Sequence, residues 1–220
     1  FLRDVFPGNQ IPRNRFDPVA VNLIPLYPLP NTVGANNFIS NATTPENQTQ
    51  YNVRVDHLIG PSNRLFARVS VVMNDGVTSN AYGNIASVGW SQKVDNRNIV
   101  VDDTLTINPT LILNLRYGLA RQNNRRVAFS DGADLTDYGW PASYSAARQA
   151  PLLPEMRPNG YLGLVRSTLF RRVADSHTGA ADTTKIFGRH FIKFGTDFRV
   201  YRTNWTDNGR AGGNFAFNTG

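Results

Sequence analysis

The sequence predicts an all-β protein of antiparallel strands, and three observations support that class. Charged residues are skewed away from the usual helix formers, since the chain has 20 Arg but 3 Lys, and 14 Asp but 2 Glu. Its 24 Asn, 18 Gly and 13 Pro are residues that favour turns and loops. Several segments also alternate apolar and polar residues with a period of two, which is typical of strands.

Residues 1–49 lack this alternation, and we expect there a loop segment with one short helix near residues 17–26. Asp17 suits the N-cap and Pro18 suits the first helical position. The Asn- and Thr-rich stretch at residues 31–50 indicates a loop. The alternative is that the whole segment is a linker.

From residue 50 onward, segments of period two predict strands. The clearest is Leu111–Leu119, where leucines and Tyr117 alternate with Asn114, Arg116 and Gly118. One residue, Asp103, falls on the apolar face of its strand and breaks the pattern. The predicted strands cover residues 50–57, 64–73, 98–107, 111–119, 173–187 and 190–203, with a seventh beginning near Asn214.

The connections between these strands differ in length, and this difference indicates a membrane. Three are short (58–63, 108–110 and 188–189), two are long (74–97 and 121–172) and one is moderate (204–213). A structureless loop of about 50 residues is unusual in a compact soluble domain. Outer-membrane barrels combine short periplasmic turns with long extracellular loops. We therefore expect residues 50–220 to form a segment of an antiparallel up-and-down transmembrane β-barrel in the bacterial outer membrane, contacting lipid and lipopolysaccharide.

The composition argues against several other classes of protein. Because the chain has no Cys, it has no disulfide framework, thiolate zinc site or Cys nucleophile. His57, His177 and His190 lack metal-ligand spacing, no Ser lies in a nucleophile-elbow sequence, and Gly209–Gly213 lacks the lysine of a phosphate loop. We expect no cofactor, no metal and no enzymatic activity. The net charge of +7 is spread along the chain without a nucleic-acid-binding motif, so we expect no nucleic-acid partner.

The charges on the predicted lumen side of the strands are the candidate functional residues. They are Arg54, Asp56, Arg68, Arg116, Lys193, Asp197 and Arg199. In one interpretation they line a wet interior and meet a plug or a solute. In the other, which the alternating signs of Arg54/Asp56 and Asp197/Arg199 favour, opposite charges pair across strands.

Seven short motifs also occur in a fixed order between residues 7 and 199. They are Pro7–Pro12, Arg15–Ala20, Tyr27–Asn31, Val53–His57, Arg64–Ser70, Leu113–Gly118 and His190–Arg199. The first three resemble a stretch typical of Oar-like TonB-dependent outer-membrane receptors. The others are similar to the hairpin and later strands of the same barrel. One departure is Leu58–Pro61, which replaces a more polar turn.

This resemblance implies a longer protein that moves a solute, by uptake or export, across the outer membrane. It would have an upstream TonB box and plug domain, a barrel of about 22 strands, and a gate energised by the TonB complex. Residues 1–49 would be a loop inside the barrel domain. The chain begins with Phe1, and the pattern of residues 214–220 indicates a strand that is cut short, so we expect an internal fragment. A passive porin, a structural or adhesion barrel, and a soluble carbohydrate-binding β domain are the alternatives.

Overall fold

The computed structural model describes residues 6–218, and most of its strands form one six-stranded antiparallel sheet. The sheet strands are β1 (Glu46–Ile59), β2 (Asn63–Val77), β3 (Trp90–Asn108), β4 (Leu111–Ala128), β6 (Leu169–Phe187) and β7 (His190–Asn208). Two shorter strands, β5 (Glu155–Pro158) and β8 (Asn214–Phe217), pair in parallel beside it. The order β1-β2-β3-β4-β6-β7 makes an up-and-down meander. The fold is therefore an all-β barrel segment, as the sequence predicted.

The strand predicted to begin near Asn214 is present as β8, but it is not a seventh strand of this sheet. β8 lies on β5, and residues 219 and 220 fall outside the described part of the chain. The turn after β7 explains the difference, because its backbone bonds to another loop. Ala211 donates its N–H to the carbonyl of Ser167 at 2.7 Å, and Gly213 accepts from the N–H of Glu155 at 2.9 Å.

The sheet strands are also longer than predicted, so the connections at 74–97 and 121–172 shrink to residues 78–89 and 129–168. Near the short turns, apolar residues alternate over about ten residues, which is the length that a bilayer-spanning strand needs. Beyond Arg97 and Arg121, which lie opposite each other, both faces of β3 and β4 are mostly polar. In these two strands the period of two is therefore lost from the sequence although backbone pairing continues.

The register sorts the side chains onto two faces, because residues opposite each other in neighbouring strands point the same way. The outer face is defined by the row Val55, Ala67, Val101, Tyr117, Gly179 and Phe198. The inner face is defined by the next row, Asp56, Phe66, Asp102, Arg116, Ala180 and Asp197. The apolar outer face suits contact with lipid, and the polar inner face suits a lumen.

Helices occur only outside the sheet in the described chain. α1 (Pro18–Leu23) continues into a 3₁₀ turn at Ile24–Leu26, and α2 is Ala142–Ala147. Asp17 caps α1, since its carboxylate accepts the N–H groups of Val19 and Ala20 at 2.9 and 3.1 Å. No helix in residues 6–218 has the length and apolar character needed to cross a membrane.

The hydrophobic core lies in the connections at one end of the sheet. We call residues 6–45, 78–89, 129–168 and 209–218 the loop assembly. Its fully buried leucines, each 2% exposed or less, are Leu135, Leu152, Leu153 and Leu164. The rings of Trp140 and Tyr144 stack with centroids 4.8 Å apart, and Phe215 lies 5.0 Å from Trp140. The long connections are thus a packed structure that sits on one end of the barrel segment.

Candidate functional site

The candidate site is a belt of charges on the inner face, close to the short-turn end of the sheet. All seven residues that the sequence singled out lie on this face. One cross-strand row holds Arg54, Arg68 and Arg199, the next inner-face row holds Asp56, Arg116 and Asp197, and Lys193 lies two inner-face rows further on. The belt crosses all six strands. Its two ends, on β1 and β7, are separated by five strand spacings, or about 24 Å along the sheet. The seven residues therefore form separate groups and not one cluster.

The first group lies on β1 and β2. The Nε and Nη2 atoms of Arg54 donate to the two carboxylate oxygens of Asp56 at 2.6 and 2.8 Å. Arg64 reaches the same carboxylate at 3.3 Å. The guanidinium of Arg54 also lies over the ring of Phe66, 4.1 Å from its centroid. These contacts draw Arg54 away from Arg68, which is its direct cross-strand neighbour.

The second group joins the central strands β3 and β4. The Nε of Arg116 donates to the Oδ2 of Asp102 at 2.6 Å. The side chain of Asp102 is 8% exposed, whereas that of Arg116 is 60% exposed. A carboxylate with so little access to water is stabilised by a charged partner. Arg116 supplies it and keeps most of its own surface open to the lumen.

The third group joins β4, β6 and β7. Asp182 accepts a hydrogen bond from the Nδ2 of Asn114 at 2.9 Å and pairs with the Nζ of Lys193 at 3.2 Å. Further along β7, Arg199 pairs with Asp197 at 3.3 Å. Both partners of that last pair are more than half exposed, so it is screened by solvent.

Six of the seven predicted residues therefore take part in ion pairs, and Arg68 has no carboxylate partner among the described residues. Sequence reasoning missed the partners Arg64, Asp102 and Asp182. Asp102 could have been found, because it lies on the polar side of a well-patterned strand. Asp182 could not, since β6 carries Gly179, Ala180 and Ala181 where an alternating pattern would show.

The belt carries an excess of positive charge. Its cations are Arg54, Arg64, Arg68, Arg116, Lys193 and Arg199, and its carboxylates are Asp56, Asp102, Asp182 and Asp197. Such a surface suits a polar or anionic neighbour in the lumen. Within residues 6–218, no group of three or more His, Asp or Glu side chains is arranged to hold a metal ion.

Together, the meander, the apolar outer face and the ion-paired inner face define a segment of an outer-membrane β-barrel. Comparison with protein families agrees. A family model described as "Outer membrane beta barrel domain" matches residues 2–220, so the chain belongs to that family and its location is the bacterial outer membrane. A search of curated proteins found no match.

Proposed function

We propose that the chain is part of the barrel of a TonB-dependent receptor that carries a solute across the outer membrane. The ordered set of motifs between residues 7 and 199 supports this assignment to Oar-like receptors. In this proposal residues 1–49 belong to the barrel domain, and the plug and the TonB box lie in other parts of the full-length protein. Outer-membrane barrels are typically non-enzymatic, and we propose no catalytic role.

The inner-face belt supports contact with a plug or a solute. Arg68 has no carboxylate partner in the described chain, and the side chain of Arg116 is 60% exposed. An open guanidinium offers directed N–H donors to carboxylate, phosphate or amide oxygens. In a plugged barrel these donors would bind the plug, and the solute would cross the barrel after the plug is displaced.

Dependence on TonB is the direct test. The full-length protein, made in its outer membrane, should bind the periplasmic domain of TonB in a pull-down assay. A variant without the TonB box should lose this binding while its barrel still folds, as judged by heat-modified gel mobility. Failure of the wild-type protein to bind TonB would contradict the proposal.

A passive porin or a structural barrel is the second candidate, and the internal pairing of the belt favours it. Asp56, Asp102 and Asp182 all have partners within the sheet, so these carboxylates are paired without a plug. Planar-bilayer recordings of the full-length protein separate the two candidates. A plugged receptor should conduct poorly, whereas a porin should give steady ionic conductance that does not depend on TonB.

A further inference from the structure

The loop assembly contains an open cavity of about 600 Å³ that no part of the proposed transport function requires. Its walls come from β5, the stretch after it and the turn between β7 and β8. The volume lies within the range of about 300–1,000 Å³ that is usual for small-molecule sites. Tyr161 and Leu162 stand exposed on its lining.

The charged side chains that line this cavity are three arginines and one glutamate, namely Arg157, Arg166, Arg210 and Glu155. Glu155 is the buried member of this group, because its side chain is only 8% exposed. One of its oxygens accepts the N–H of Ser167 at 3.3 Å, and the other lies 2.9 Å from Arg157 and 4.0 Å from Arg210. A single carboxylate thus orients two guanidiniums whose side chains remain more than half exposed.

The third arginine is held in a different way. The guanidinium of Arg166 lies 4.7 Å from the ring centroid of Trp90, and no carboxylate within the described chain pairs with it. Trp90 also lies under Arg126, 5.2 Å from its guanidinium. Stacking on an aromatic ring fixes a guanidinium in place but leaves the N–H donors at its edge free. Arg166 therefore brings an uncompensated positive charge to the cavity.

The backbone around the cavity is strained at two positions. Val165 and Arg210, which both line it, have φ angles of +66° and +64°. A side chain with a Cβ is unfavourable in this region, and Val is among the least suited residues. Strain of this kind persists where the surroundings fix it, and it concentrates at binding sites.

We propose that this cavity binds a small solute that carries carboxylate or phosphate oxygens. The cavity lining carries three guanidiniums and one buried carboxylate, an excess of two positive charges that a dianionic group would neutralise. Guanidiniums bind such oxygens in pairs, with geometry that a lysine cannot match. The binding site is independent of TonB, since a passive or structural barrel could present the same loops to the medium.

The test uses the full-length protein purified in detergent, titrated by calorimetry with citrate and separately with inorganic phosphate. The variants are Arg157→Gln, Arg166→Gln and Arg210→Asn, the last chosen because Asn tolerates a positive φ. Arg13→Gln is the matched control, since it removes one exposed cation of the loop assembly that does not line the cavity. Arg166→Gln is the cleanest variant, because it leaves the contacts of Glu155 intact.

We expect one equivalent of citrate or phosphate to bind, and each cavity variant to weaken that binding about tenfold or more, as loss of a charge-assisted hydrogen bond does. Arg13→Gln should leave it unchanged. Lipopolysaccharide phosphate is another source of the same oxygens. Tightly held lipid phosphorus that is lost in Arg166→Gln would support the site and identify the lipid as its ligand. No saturable binding of citrate, phosphate or lipid phosphate, or equal binding by Arg166→Gln and Arg13→Gln, would overturn the proposal.

Discussion

The sheet and the loop assembly bury their residues in opposite ways. In the sheet, apolar side chains such as Val53 and Phe198 are 61% and 63% exposed, while the carboxylate of Asp102 is among the few buried groups. In the loop assembly, Leu135 is fully buried. The sheet is arranged for a surrounding apolar solvent, and the loops are arranged for water. The chain therefore exposes apolar side chains in one region and buries them in the other, and the change occurs along the length of the strands.

The point of change can be placed on the sheet. On the outer face, the row Val53, Val69, Ile99 and Leu119 is apolar, and the next row towards the loops contains Arg97 and Arg121. Charges on both faces of β4 and β6 beyond this row indicate that the strands continue past the bilayer. The loop assembly thus rests on an extension of the sheet that stands in water.

The largest effect that we predict is in the loop core. Leu135→Ala should destabilise the loop assembly by about 2–5 kcal/mol, because it leaves a cavity at a fully buried position. Leu29→Ala is the matched control, since Leu29 is 85% exposed in the same assembly. Hydrogen exchange should speed up in residues 129–168 for Leu135→Ala only, with the sheet unchanged. Equal exchange in the two variants would mean that the loops do not form a core of their own.

The second prediction concerns the faces of the sheet. Leu115 lies on the outer face and Asn114 on the inner face, one residue apart. Leu115→Arg should cost about 2–4 kcal/mol in a bilayer folding assay if it lies near the midplane. Asn114→Arg should cost far less, because it places a guanidinium beside Asp182, the present partner of Asn114. Equal costs at the two positions would contradict the assignment of lipid and lumen sides.

Sequence reasoning predicted the membrane half of the sheet well, and the reason is physical. Between lipid and lumen each residue has one of two solvents, so Leu111–Leu119 must alternate. The turn after β3 was also predicted from the sequence, because Asn108-Pro109 is typical of a tight turn. In the structure Asn108 closes it by accepting the N–H and the hydroxyl of Thr110 at 3.0 and 2.9 Å. Where one solvent surrounds both faces, as in residues 121–128, the alternation disappears and the strand was missed.

The loop assembly and its cavity could not be predicted in the same way. The partner of β8 is set by backbone hydrogen bonds from residues 209–213 to Ser167 and Glu155, and no local pattern encodes them. The three cavity arginines are separated in sequence from one another and become neighbours only through this packing. The charged belt was easier, because sign alternation within β1 and β7 already identified two of its pairs.

The third prediction uses pH to separate the two regions. Burial, with a smaller effect of Tyr82, raises the pKa of Tyr27 in the loop assembly to about 12. In the unfolded chain the same phenol ionises near pH 10. Because the raised pKa favours the neutral folded form, its contribution to stability is complete below about pH 10 and is lost as the pH rises through about 12.

The loop assembly should therefore lose thermal stability in this alkaline window, and Tyr27→Phe should lose less. The near-ultraviolet circular dichroism of the loop aromatics, which include the stacked Trp140 and Tyr144, reports on this region, while far-ultraviolet circular dichroism follows the sheet. Identical alkaline profiles for wild type and Tyr27→Phe would show that the Tyr27 hydroxyl is not confined by the fold.

The smallest effect is expected in the inner-face belt, where two ion pairs differ in burial. Arg54 and Asp56 have side chains that are 47% and 39% exposed, so a double-mutant cycle with Arg54→Gln and Asp56→Asn should give only a small coupling, because solvent screens the pair. The cycle with Asp102→Asn and Arg116→Gln should give more, because the Asp102 side chain is 8% exposed and interacts through less solvent. Raising the salt concentration should reduce the first coupling more than the second. Couplings equal in size and in salt dependence would mean that water reaches both pairs equally. That result would contradict the burial of the Asp102 side chain in the inner face of the sheet.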